Sequence, residues 1–125
     1  MNNILIDTHA LLWYLSKDKK LPNNIRSFLL KAHKIFVPTI VLLELLYLLQ
    51  KQSLTSTFSL VLDKLKKSNK YQVVSFDLEV LENVFKLSSN LESHDSIIVA
   101  TAKMLKLPLV TKDGKIKEVY DQAIW

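Results

Sequence analysis

The sequence has no cysteine and a single glycine, Gly114, in 125 residues. Without cysteine there are no disulfides, thiolate metal ligands or thiol nucleophiles, and a reducing compartment such as the cytoplasm is the expected location. With one glycine there is neither a P-loop nor a dinucleotide fingerprint, because both need several positions where backbone amides face a phosphate and no side chain fits. The glycine-flanked elbow of a serine hydrolase is missing for the same reason. Histidine is scarce as well: His9, His33 and His94 stand far apart and form no HExxH pattern, which excludes the common zinc motifs. Arg26 is the one arginine among 17 basic residues. The basic surface therefore consists of lysines, flexible point charges suited to phosphates more than to the bidentate reading of base edges.

What is present is apolar residues, 49% of the chain, and a net charge of +5 with a pI near 9.4. At this length residues 1–125 are expected to form one domain. The longest apolar run, residues 35–49, contains Pro38 and Glu44 and falls short of the roughly 18 residues of a membrane span. No charged leader with a cleavage site opens the chain, so neither a signal peptide nor a membrane segment is expected. The positive balance favours a polyanion such as RNA as partner, although solvated lysines explain the same count. The mean hydropathy of +0.15 is high for a soluble monomer and hints at an apolar interface.

Short β-branched stretches alternate with longer helical patterns, which predicts an α/β fold with a central, mainly parallel sheet. Strands are expected at residues 3–6, 35–37, 72–75 and 107–111, with 123–125 as a further edge. Helices are expected at 8–16, 25–33, 40–52, 57–68, 78–91 and 94–105, each with apolar residues recurring at three and four. Asp7, Asn24, Thr39, Asp77 and Ser93 are the expected helix caps.

Within this frame four acids stand out, in NILIDTHALL, TIVLLELLYLL, SHDSIIVATA and LPLVTKDGKI: Asp7, Glu44, Asp95 and Asp113. Burying an ionised carboxylate without a partner costs several kcal/mol or neutralises it, so acids in such settings call for hydrogen bonds, cations or a metal. Asp7 ends the first expected strand and Asp113 follows the fourth, and ligands of open parallel sheets gather beyond those strand ends. Each acid also has a plainer role: Asp7 as a cap, Asp95 as a charge on a helix dipole, Asp113 as half of an Asp-Gly turn, Glu44 as one side of a buried ion pair. His9 and His94 beside two of the acids cap, pack or face water more readily than they bind a hard metal. Thr111 either orients a carboxylate from the second shell or is simply a strand former. Trp13 and Tyr14 offer ring faces to bases or to the core.

Phosphodiester hydrolysis is the chemistry such a set performs without histidine, cysteine or glycine loops, because one or two divalent metals held by carboxylates activate water and stabilise the developing charge. On that hypothesis Asp7 and Asp95 hold the principal metal, Mg2+ or Mn2+, Glu44 binds a metal or orients the water, and Asp113 sits in a second or outer shell. Rim lysines would then hold single-stranded RNA.

The order Asp7-Thr8-His9 with Leu11, Leu12 and Trp13, then Glu44, then His94-Asp95-Ser96-Ile97-Ile98-Val99-Ala100-Thr101-Ala102, then Pro108-Leu109-Val110-Thr111-Lys112-Asp113 resembles PIN-domain ribonucleases, particularly VapC-type toxins, over nearly the whole chain. The resemblance implies a three-layer α/β/α sandwich and a Mg2+- or Mn2+-dependent endoribonuclease. It carries the three central acids of that family onto Asp7, Glu44 and Asp95, and the more variable fourth onto Asp113. It also implies a homodimer and a cognate antitoxin protein whose peptide covers the acidic groove. Lys112 and Lys115 flank Asp113 and could draw it away by a salt bridge. Two alternatives stand beside this reading: a PIN-like module that binds RNA or protein without cutting, and a receiver-type phosphoacceptor domain, which wants neighbouring acids after its first strand.

Overall fold

A computed structural model describes residues 2–125. The first strand, β1 (Asn3–Ile6), is followed by helices α1 (Thr8–Leu15) and α2 (Asn23–Lys31), strand β2 (Lys34–Pro38), helices α3 (Thr39–Lys51) and α4 (Thr55–Lys67), and strand β3 (Tyr71–Val74). Helices α5 (Leu78–Lys86) and α6 (Ser93–Leu105) then lead to β4 (Leu109–Val110), α7 (Gly114–Val119) and β5 (Ala123–Ile124). The five strands form one sheet in the order β3-β2-β1-β4-β5, and every pairing is parallel.

Ile4, Leu5 and Ile6 are all fully buried. Neighbouring residues of a strand point to opposite faces, so both faces of β1 are covered, as expected of a central parallel strand between helical layers. The α/β expectation with a parallel sheet is thus met. The chain adds β2 and β3 on one side of β1 and then returns to place β4 and β5 on the other, which puts a topological switch point between the carboxyl ends of β1 and β4. A receiver-type domain has the order 2-1-3-4-5, so this sheet excludes that alternative.

Element ends differ from the sequence expectation where local polar groups act. The helix expected at 78–91 stops at Lys86, ahead of Ser88, Ser89 and Asn90, residue types of modest helix propensity. Asp7 and Asp77 do cap their helices, accepting from Thr8 N and Val80 N. Asn24, Thr39 and Ser93 do not: they lie inside the first turn, and the caps there are Pro22, Pro38 and Glu92, none with a side-chain bond. Helix α7 was not expected at all, since six residues are too few to show a period. Asp113 caps it, accepting from Lys115 N at 2.8 Å and Ile116 N at 3.1 Å, so the Asp-Gly pair opens a helix instead of a plain turn.

With no glycine to spare, three left-handed positions fall on Lys17, Ser53 and Lys106, at or just past the ends of α1, α3 and α6. Among the described residues no helix is long and apolar enough to cross a membrane.

Candidate active site

A cleft of about 580 Å³ opens at the switch point, and Asp7, Glu44, Asp95 and Asp113 all line it. Four different elements deliver them. Asp7 leaves β1 with its backbone N–H bonded to Val110 O of β4 at 3.0 Å. Glu44 lies within α3, Asp95 in the first turn of α6, and Asp113 at the cap of α7. Carboxylates remote in sequence therefore meet because β1 and β4 are neighbours and α3 and α6 pack on each other.

Two buried threonines hold the cluster. Thr111 Oγ1 donates to Asp7 Oδ2 at 2.6 Å and accepts from Asp113 N at 3.0 Å, so one hydroxyl fixes two of the acids. Thr8 Oγ1 donates to Glu44 Oε1, while Thr8 N donates to Asp7 Oδ1 at 2.7 Å. The Glu44 carboxylate thus finds a hydroxyl where a buried ion pair was one of the expectations. Its side chain is half-buried, not enclosed by the apolar face of α3.

Among the described residues none of the four acids forms a salt bridge, although Lys112 and Lys115 also line the cleft. The one salt bridge among the described residues joins Lys20 to Asp18 at 4.0 Å. Lys112, which could have drawn Asp113 away, instead stands 4.9 Å over the Trp13 ring. The consequence appears in the carboxyl groups: burial first, then the charges of Asp113, Asp7, Glu44 and Glu92, push Asp95 up from 3.8 to about 6. Asp95 sits where a helix dipole favours its charge by roughly 0.3–1 kcal/mol, and desolvation plus four like charges outweighs that. Asp7 is also raised, chiefly by burial and against the lowering effect of its bonds from Thr111 and Thr8.

The donor set is all oxygen and strongly anionic, the chemistry that Mg2+ and Mn2+ require. Among the described residues no three acid or imidazole groups already surround one point at ligating distance, as expected of mutually repelling carboxylates with no cation between them. The residues fit a divalent metal by chemistry and by convergence.

Sequence reasoning missed two acids that line the same cleft, Glu92 and Glu118. Glu92 stands three residues before Asp95, a spacing that places both on one side of a helix start, and this was the available signal. Thr8 was visible only as part of a motif, its hydroxyl bond to Glu44 spanning 36 positions. His9 lines the cleft with its ring 5.6 Å from that of Trp13. His94 is exposed and does not line it.

Solved structures with this fold include a toxin-antitoxin complex from Klebsiella pneumoniae, 18% identical over 98% of this chain and 96% of that one, with a TM-score of 0.73. Another is VapBC2 from Rickettsia felis bound to a DNA fragment from its promoter, with 19% identity, 98% and 96% coverage and a TM-score of 0.71. A third is VapC20 from Mycobacterium tuberculosis, a sarcin-ricin loop cleaving toxin, with 16% identity, 92% and 93% coverage and a TM-score of 0.69. No curated protein matches the sequence. The family model of the PIN domain matches residues 4–122, nearly the whole chain and all four acids, and the chain belongs to the PIN domain family.

Proposed function

We propose that this protein is a divalent-metal-dependent endoribonuclease and the toxin of a toxin-antitoxin pair. The observation that carries the reading is the cleft at the switch point, where Asp7, Glu44, Asp95 and Asp113 converge with no salt bridge to any of them among the described residues. Asp7 and Asp95 are the principal ligands in this account, Glu44 a ligand or water-orienting base, and Asp113 an outer ligand whose Oδ1 also caps α7. Bound Mg2+ or Mn2+ supplies a water of lowered pKa and a positive charge at the phosphoryl oxygens.

The chain's own residues do the rest. Thr111 and Thr8 hold Asp7 and Glu44 in fixed orientation, which keeps ligand geometry from collapsing toward solvent. Lys112 and Lys115 at the rim attract the RNA backbone, a contact that salt weakens. RNA as substrate draws further support from the Mycobacterium tuberculosis neighbour, and an antitoxin partner from the complexes named above.

A homodimer is the oligomer we favour. Leu78, Leu81 and Phe85 project from α5, with Phe85 89% exposed, an apolar face that a monomer would leave in water. The alternative, a PIN module that binds RNA or protein without cutting, draws on the lack of any three groups already in ligating array among the described residues.

Cleavage of a total-RNA mixture in Mg2+, Mn2+ or EDTA, beside Asp95→Asn purified identically, decides between them. The ribonuclease reading expects cutting that needs metal and vanishes in the variant. A folded, metal-supplied wild type that cuts no RNA would favour the binding module.

A further inference from the structure

A second cavity, of about 660 Å³, lies at the β3 edge of the sheet, beside the start of β3 and the end of α1. Lys17, Lys19, Arg26, Lys64 and Lys70 line it beside Leu15, Leu21 and Leu30, and no carboxylate does. A hollow edged by one sign of charge with apolar walls raises the local concentration of ions of the opposite sign. We propose that this cavity is a phosphate-binding site for the RNA backbone, holding a stretch of the same strand whose scissile bond lies in the acidic cleft; it rests on the ribonuclease reading above.

Several features shape the hollow for phosphate. Arg26 spends one guanidinium nitrogen on Asp18 O at 3.0 Å, and Lys70 one donor on Leu30 O at 2.9 Å. Both are thereby anchored, and both keep further N–H groups for an anion. Tyr14 and Tyr71 also line the cavity. Burial raises both phenols, Tyr71 to about 12, so both stay protonated and can donate to phosphate oxygens.

The route from one site to the other is also basic. Helix α1 begins at the acidic cleft and ends at this cavity, a length of about 12 Å for eight residues. Lys112, from the rim of the cleft, and Lys20, from the α1–α2 loop that supplies Lys17 and Lys19, both stand over the Trp13 ring, at 4.9 and 5.7 Å. Cations thus continue from the cleft past Trp13 into the cavity, a course that tracks a polyanionic strand better than it fits a single small ion.

The test measures binding of fluorescent poly-uridine RNA to the full chain in EDTA, across a salt series. Lys19→Gln/Lys64→Gln is the main variant, because neither side chain makes a structural bond in the way Arg26 and Lys70 do. Two lost phosphate contacts should lower the slope of log K against log salt by about 1.4, at about 0.7 each for single strands, and weaken binding about fivefold or more at low salt. An unchanged slope in a folded double variant would overturn the proposal. So would inorganic phosphate that competes RNA away at equal concentration, which would assign the cavity to a small ion, or a loss confined to a glutamate-rich peptide, which would assign it to a protein. RNA bound as expected but never cut in Mg2+ or Mn2+ would overturn the ribonuclease reading and leave this site standing.

Discussion

The two ends of α1 carry opposite charge and are built differently. At its start, carboxylates from four elements meet, two of them, Asp7 and Glu44, held by buried hydroxyls, and burial followed by their like charges shifts Asp95 to about 6. At its end, cations gather from the α1–α2 loop, α2, α4 and the residue before β3 on long side chains, two of them anchored to backbone carbonyls. The hydroxyls that hold Asp7 and Glu44 make the acidic end the more rigid of the two. The basic end is compliant, which suits a flexible strand recognised by charge. Charge without a salt-bridge partner among the described residues marks both as candidate binding places, and the buried hydroxyls at one end distinguish the two.

That contrast can be broken by altering its supports. The largest effect belongs to Thr111→Val, which removes the hydroxyl that fixes Asp7 and Asp113. Metal affinity or cleavage should fall about 10–100-fold, and Thr111→Ser should recover most of it. An equal loss from Lys64→Gln would erase the distinction between a rigid and a compliant end.

A smaller effect concerns stability. Asp95 is raised in the folded state from 3.8 to about 6, so the folded protein without metal holds a proton that the unfolded chain releases. Stability is therefore greatest below the unfolded value and falls as pH rises through about 6. Relative to Asp95→Asn, denaturant titration of the metal-free wild type should show a deficit above that pH of about 1 kcal/mol, the screening of a partly exposed group included. The two should converge toward pH 4. A wild type more stable than Asp95→Asn at neutral pH would mean that a cation in the chain already satisfies the carboxylate. Lys64→Gln, on an exposed helix surface, should shift stability by no more than about 0.5 kcal/mol.

Much of this was legible in the sequence. The alternation of elements gave a parallel α/β fold, and β1 was placed to the residue because Ile4, Leu5 and Ile6 form an uninterrupted apolar run before Asp7. The convergence of four acids followed from strand ends and helix starts. Less legible was what depends on distant contacts. Glu44 lies in the cleft as expected, but its hydroxyl partner Thr8, 36 positions away, was not visible. Glu92 looked like loop until α6 placed it beside Asp95. The basic cavity is drawn from residues 17 to 70, which share no pattern until β3 brings Lys70 beside α2. Helix α7 was too short for periodicity, and its one signal, Asp113 as a cap, was read as a turn.

The central claim is that the carboxylates at the switch point hold a divalent metal, and Mn2+ binding followed by electron paramagnetic resonance tests it most directly. The account predicts that wild type takes up Mn2+ with affinity that rises as pH passes through about 6, and that Asp95→Asn, equally folded, loses most of it. A folded wild type that leaves Mn2+ free in solution at neutral pH, or an Asp95→Asn variant that binds it just as well, would contradict the account.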